Sequence, residues 1–326
     1  MANTGKLINY STRPAKSIER KMLKDLLLRL FPFGGANKYK YVGFGAKYFS
    51  DFNLFHNSLH IDDMVSIEQD LNNKNKYLFN KPFSCIDMKF GKSCEVLPKI
   101  KLDGKVICWL DYDQVLQEFM LSDFATLVEK VESGSVLILS YNSHPLDKKK
   151  LITKYPDLSS GYIKKALEDN LSPELVPHSF DERGMQNKTK FSQFLRSVIH
   201  SKAQSLVATR NAGLDEEEKL NLKQVVYFDY ADGAHMSTVG YMVYSNKDRE
   251  NYDRTSIEEL DFFKDKNESY EIEVPNLTYR EVQSLLQYMP DKNTELIEKG
   301  IVSEKDFELF SKHYKYFPNF IETPVF

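Results

Sequence analysis

Across 326 residues the chain has only three cysteines and a single tryptophan, and neither sign of charge dominates. Cys85, Cys94 and Cys108 form no CxxC pair and share no Cys/His spacing suited to zinc. Three is not an even disulfide framework either, so the expectation is reduced, buried thiols and no metal site. With 44 basic and 47 acidic residues the formal net charge is -3, which excludes a globally basic surface for non-specific nucleic-acid binding. No apolar run approaches the ~18 residues of a membrane helix. The opening residues are polar and charged, without the apolar core of a signal peptide. A cytoplasmic protein with no membrane partner is expected. There is no phosphate-binding P-loop, no G-x-S-x-G elbow, no internal repeat and no low-complexity tract.

What is present is ordinary globular composition, 41% hydrophobic and 28% charged, enough for one large domain or two small ones. Residues 1–38 are basic, and 17–30 place Ile18, Met22, Leu26 and Leu30 on one helical face. Short apolar runs then alternate with helical stretches. Strands are expected at 39–43, 64–67, 83–88, 106–110 and 136–141, and helices at 50–60, 94–100 and 112–131. This rhythm predicts an α/β fold with a parallel sheet covered by helices. Residues 143–222 are polar and helical or irregular. Two strands at 224–229 and 235–244 follow, joined by Ala231-Asp232-Gly233, an antiparallel hairpin signal. The expected layout is a basic helical segment over 1–38 and an α/β domain over 39–248, with a helical insertion at about 145–222. A helical extension over 249–326 packs on the same domain. Self-association as a homodimer is left open.

In an open parallel sheet the ligand sits beyond the carboxyl ends of the strands, so the residues that end each strand carry the chemistry. The first strand runs into Tyr41-Val42-Gly43-Phe44-Gly45-Ala46-Lys47. Glycines here let the backbone turn sharply and approach a ligand without a Cβ clash; a tight strand-to-helix turn needs the same residues. The second strand ends in Glu68-Gln69, where a carboxylate accepts hydrogen bonds from both hydroxyls of a ribose and repels a phosphate on that ring. After the third strand Ser93 either touches the base of such a ligand or caps the short helix that follows. The fourth ends in Asp111-Tyr112-Asp113, two carboxylates and a phenol. Either Asp111 or Asp113 acts as a base once burial raises its pKa, Tyr112 positions an acceptor, and Asp113 alternatively caps the next helix. Asn142 and His144, after the fifth strand, border the same crevice as substrate contacts, although a lone histidine is often structural. Arg13 and Lys16, with Arg20 and Lys24, either grip a phosphate-bearing acceptor or form a solvated helix face.

Taken together, residues 9–20, 41–52, 66–68, Trp109-Leu110-Asp111-Tyr112-Asp113 and 316–320 resemble a family of bacterial O-methyltransferases, and the resemblance covers almost the whole chain. It implies a Rossmann-like class I methyltransferase fold. That fold has a seven-stranded, mostly parallel sheet with an antiparallel terminal hairpin, here with helical N-terminal, insertion and C-terminal additions. It also implies S-adenosylmethionine as cofactor. Gly43, Phe44, Gly45, Glu68, Gln69, Ser93 and Asp111 would then hold the cofactor. Asp111, Tyr112 and Asp113 would be catalytic. Arg13, Lys16, Asn142 and His144 would meet the acceptor, with the insertion as its lid. A hydroxyl is the favoured acceptor, nucleic acid is reachable through the basic helix, and a bacterial defence setting is implied. Two departures stand out. Lys47 replaces the usual third glycine, and Tyr41 the usual acidic residue before the loop. They motivate the alternative of a non-catalytic SAM- or nucleotide-binding effector that keeps the fold. An NAD-dependent oxidoreductase fits less well, because G-x-G-x-x-G is incomplete and the sheet is expected to end in a hairpin.

Overall fold

The computed structural model describes residues 13–291 and 294–318, so residues 9–12 and 319–320 of the resemblance lie outside it. Helix α1 (Pro14–Leu28) opens the described chain with Pro14 in the first turn, where its missing N–H is no loss. Strands β1 (Lys40–Gly43), β2 (Asp63–Glu68), β3 (Ile86–Phe90), β4 (Val106–Val115) and β5 (Ser135–Asn142) alternate with α2 (Ser50–Leu59), α3 (Lys74–Asn80), α4 (Ser93–Val96) and α5 (Glu118–Lys130). After three helices, α6 (Lys148–Lys154), α7 (Tyr162–Leu171) and α8 (Lys188–Arg210), come β6 (Leu220–Ala231) and β7 (His235–Ser245). Past α9 (Arg249–Arg254), the strand β8 (Tyr270–Ile272) and helices α10 (Tyr279–Leu286), α11 (Glu295–Glu298) and α12 (Glu304–His313) follow.

All eight strands form one sheet in the order β3-β2-β1-β4-β5-β7-β6-β8. Only β7 runs antiparallel, slotted between β5 and β6, as the class I methyltransferase plan requires. The eighth strand is a correction to the expected seven. Three residues in a carboxylate-rich stretch, with Tyr270 and Ile272 buried and Glu271 exposed, pair with Phe228, Asp229 and Tyr230 of β6.

Alternation along the strands splits the core between two faces. Val106, Cys108, Leu110 and Tyr112 of β4 join Phe124 and Leu127 of α5 and Leu195 and Ile199 of α8. Ile107 and Trp109 join Ile18 and Met22 of α1 and Phe52 and Phe55 of α2. Two expectations therefore change. Residues 112–115 are strand rather than helix, so Asp113 does not cap α5, whose N-cap is Gln117. The stretch expected to lid the site instead supplies α7 and α8, whose Ile163, Leu167, Leu171, Phe191 and Ile199 are core. Of the cysteines, Cys108 is buried, Cys85 half-buried and Cys94 exposed.

His313 on α12 is fully buried, edge-on to Tyr270 at 5.8 Å between centroids. Its Nδ1 meets the Leu309 carbonyl at 3.0 Å, and its Nε2 has no hydrogen-bond partner among the described residues. Burial, helped by the neighbouring Lys312 charge, lowers its pKa from 6.5 to about 4. Between those values the unfolded chain binds more protons than the folded one. Stability from this residue is therefore full above pH 6.5 and is lost as pH falls toward 4, by about 3 kcal/mol over the whole window. In urea unfolding at pH 7 and pH 4.5, His313→Leu should lose correspondingly less stability on acidification than the wild type.

Candidate functional site

The direction of the sheet places the candidate residues together. Strands β1 and β4 are neighbours, with β2 and β3 beyond one and β5 beyond the other, so strand order reverses between them. Their carboxyl ends open a crevice there. It holds a cavity of about 450 Å³, within the range of small-ligand sites. Of the residues singled out from sequence, Arg13, Lys16, Phe44, Gly45, Glu68, Gln69, Ser93, Asp111, Tyr112, Asp113 and Asn142 line it. Gly43 and His144 do not. His144 is exposed, and its backbone N–H is held by Asn142 Oδ1 at 2.9 Å.

The glycine turn is shaped by the protein's own side chains. A Cβ on Gly43 would lie 2.7 Å from Tyr41 Oη, and one on Gly45 would lie 2.4 Å from the Phe49 ring and 2.8 Å from Ser66 Oγ. Gly45 N–H donates to Ser66 Oγ at 3.1 Å. Ala46 and Phe49 take left-handed φ of 46° and 49°, each costing about 1–2 kcal/mol for a residue with a Cβ; the fully buried Phe49 ring holds the turn there. Tyr41, in the place of the usual acidic residue, hydrogen-bonds Asp51 in the first turn of α2, and Asp51 lines the cavity. Burial raises the Asp51 pKa, opposed by the Tyr41 hydrogen bond and the Arg20 charge. At the end of β2, Glu68 Oε1 accepts from Asp70 N–H at 3.1 Å and the residue remains half-exposed on the cavity wall.

A bulge in β4 displays the Asp-Tyr-Asp segment. Asp111 pairs with Ser140 and Val115 with Asn142, so β4 advances four residues while β5 advances two, a device that re-aims side chains beside sites. Alternation sends Asp111 and Tyr112 to opposite faces. Tyr112 points toward α5, donating to Asp123 Oδ2 at 2.6 Å and lying 3.4 Å from Ser93 Oγ. Burial and the adjacent Asp123 carboxylate push its phenol well above the ordinary range. Ser93 stands in the first turn of α4 without capping it.

Asp111 points the other way, to α1. Its Oδ1 accepts from Lys16 Nζ at 2.7 Å. The same ammonium lies 2.8 Å from Glu19 Oε2, donates to Tyr230 Oη at 3.0 Å and sits 4.4 Å above the Trp109 ring. Trp109 Nε1 donates to Ser140 Oγ at 2.9 Å, Ser140 meets Thr238 at 2.6 Å, and Thr238 donates to Glu19, which closes the loop. Burial alone would discharge Lys16; Asp111 and Glu19 outweigh it and raise its pKa. Burial raises Glu19, against the pull of Lys16. Lys16 and Arg20 are only 4% and 8% exposed, so neither the phosphate-gripping surface nor the solvated face describes them.

Arg20, named from sequence with Arg13 and Lys16, also lines the cavity, and sequence reasoning missed Tyr48, Asp51, Phe119, Tyr230, Asp232 and Met236, which line it too. The signal lay in the topology. The hairpin joins β6 to an antiparallel β7, so its turn must sit at the carboxyl end of the parallel strands. From there Asp232 accepts from the Ala15 and Lys16 N–H groups at 3.2 and 2.9 Å, capping α1 across more than two hundred residues.

A family model described as "Putative O-methyltransferase" matches residues 8–325. No curated protein matches the chain. Three solved structures are loosely similar in shape. The O-methyltransferase TomG from Streptomyces achromogenes, involved in tomaymycin synthesis and solved with SAM, shares 11% identity over 70% of this chain and 80% of its own, at a TM-score of 0.35. An O-methyltransferase from Bacillus cereus with SAH shares 10% over 73% and 86%, at 0.37. Trm1 from Pyrococcus horikoshii with S-adenosyl-L-methionine shares 10% over 73% and 57%, at 0.40.

Removing the Lys16 ammonium leaves Asp111 and a buried Glu19 uncompensated. Lys16→Met should cost about 3–5 kcal/mol of unfolding free energy in urea, and adding Glu19→Gln should restore part of it. A Lys16→Met variant as stable as the wild type would contradict this account.

Proposed function

The chain belongs to the O-methyltransferase family whose model spans residues 8–325, and from that premise we propose that it moves a methyl group from S-adenosylmethionine to a hydroxyl acceptor in the cavity at the β1–β4 switch point. The observation that carries this reading is the lining of that cavity. It joins a half-exposed carboxylate ending β2, a glycine turn after β1, aromatic rings, and charges of both signs. These suit a cofactor with a ribose diol, an adenine and a zwitterionic methionine end. Glu68 would hold the ribose hydroxyls. Backbone at Phe44 and Gly45 would meet the amino-acid end, with Arg20 and Asp51 offering it opposite charges. Gly91 and Ser93 would border the adenine. The bound cofactor supplies an electrophilic methyl on a positively charged sulfur.

The protein's part is to orient the acceptor oxygen and take its proton as the new C–O bond forms. Asp111 is committed to Lys16, so in this reading it acts as a positioning residue, and Asp113, two residues on along the cavity wall, receives the proton. Asn142, Gln114 and Tyr230 offer polar contacts to the acceptor. A carboxylate takes a proton from a phenolic or similarly acidic hydroxyl far more readily than from an aliphatic alcohol, which favours the former as acceptor. Lys16 and Arg20 of α1 are buried, so an acceptor docked by phosphate contacts from these two residues is not part of the proposal.

Calorimetric titration with S-adenosylmethionine tests the cofactor half. Glu68→Ala should weaken binding by about 10- to 100-fold, the worth of hydrogen bonds to a charged group. Asp113→Asn should bind the cofactor as the wild type does, yet turn over a phenolic acceptor about 10²–10⁴-fold more slowly. No binding by the wild type overturns the proposal. Binding without transfer to any acceptor pool supports the non-catalytic alternative.

A further inference from the structure

A second cluster of chemistry-bearing side chains sits at the other end of the sheet. His56 lies in the last turn of α2, Asp62 just before β2, and Cys85 just before β3. They are 6 and 23 residues apart in the chain, a spacing that matches no metal-binding motif. Folding nonetheless converges them on one atom. His56 Nδ1 is 3.1 Å from Asp62 Oδ1, 3.0 Å from the Ile61 carbonyl oxygen and 3.8 Å from Cys85 Sγ. The three side-chain ligand atoms lie within 4.8 Å of one another. None of the three residues lines the cofactor cavity. Asp62 precedes β2 and Glu68 ends it, six steps on, roughly 20 Å at 3.3 Å per residue.

An imidazole nitrogen carries at most one proton, and one N–H satisfies one acceptor well. Here it faces a carboxylate and a carbonyl, both acceptors, and a thiol whose sulfur becomes a lone-pair donor to a cation once its proton is lost. A cation at their centre satisfies all of them. Tetrahedral zinc, with bonds of ~2.0–2.2 Å to N and O and ~2.3 Å to S, sets neighbouring ligand atoms about 3.4–3.6 Å apart. The observed 3.1 and 3.8 Å about His56 Nδ1 bracket that spacing, and the Asp62–Cys85 edge, within 4.8 Å, would tighten as the ion bound. The donor set of thiolate, imidazole and carboxylate selects a zinc-class ion over magnesium or calcium. The Phe83 ring, 4.1 Å from the His56 ring between centroids, shields one side. Asp62 is 77% exposed and leaves a solvent position open.

We propose that His56, Asp62 and Cys85 form a binding site for a zinc-class divalent cation, separate from the methyl-transfer cavity. Coordination replaces the thiol proton, which passes to solvent, and no redox change accompanies it. The ion ties the end of α2 and the entry to β2 to β3. Among the described residues strand β3 is the outermost of the sheet and pairs on one side alone, so the ion fastens an edge.

Cobalt(II) titration of the chelator-treated full chain, followed by zinc competition, tests this. One equivalent of cobalt should give a near-ultraviolet thiolate-to-cobalt charge-transfer band that zinc abolishes. Cys85→Ser should remove the band and weaken zinc binding at least tenfold, and His56→Gln should do the same. The exposed Cys94 is the control, and Cys94→Ser should change neither. Asp62 is a surface residue, so Asp62→Asn should keep the fold while weakening zinc severalfold; this arm stands even if Cys85→Ser fails to fold. No band in the wild type, a band that survives Cys85→Ser, or zinc affinity indifferent to Asp62→Asn would each overturn the proposal.

Discussion

The site depends on one buried cation. The Lys16 ammonium lies among Asp111, Glu19, Tyr230 and the face of Trp109, almost out of contact with water. Its desolvation is costly and is offset because two carboxylates, a phenol and an aromatic face share it. Through it the N-terminal helix is fixed to the carboxyl ends of β4 and β6, and the polar chain through Ser140 and Thr238 carries the restraint into β5 and β7. Four strands and a helix are thus held in one arrangement above the cavity. A network of this kind is worth having only when every member is satisfied.

The same interaction divides labour between two carboxylates that look equivalent in sequence. Asp111 and Asp113 are two residues apart on one strand. An ordinary strand would present them to the same face, but the bulge before Val115 breaks that equivalence. Asp111 is given to Lys16. Tyr112, between them, is given to Asp123 on the opposite face, where burial keeps its phenol protonated. Geometry thus gives Asp111 and Tyr112 separate partners on opposite faces of one strand.

How much of this was legible follows from which signals are local. Five parallel strands and the hairpin were readable because short apolar runs bounded by turn residues are a local pattern. Glu68 and the glycine turn were readable because they sit at strand ends. The end of β4 was misread because Asp111-Tyr112-Asp113-Gln114 mimics a strand stop followed by a helix start; what keeps it extended is pairing with β5. Strand β8 is three residues long, and its partner lies some forty residues earlier. Lys16 reads as one more cation on a basic helix, since its partners at 111 and 230 are distant in sequence. The surroundings of Tyr41 were hidden for the same reason: its phenol meets the carboxylate of Asp51 across the turn.

The capping of α1 by Asp232 has a consequence for how the chain is made. A ribosome releases the helix long before it releases the hairpin turn that holds the helix N-terminus, and well before Asp111 or Tyr230. Through most of synthesis the apolar face of α1 and its future buried ammonium have no seat, and the helix must wait, solvated or shielded by a chaperone, until the last strands are out. Helix α1 is therefore seated only after the hairpin that follows it by some two hundred residues, and the roof of the crevice closes once β6 and β7 are in place.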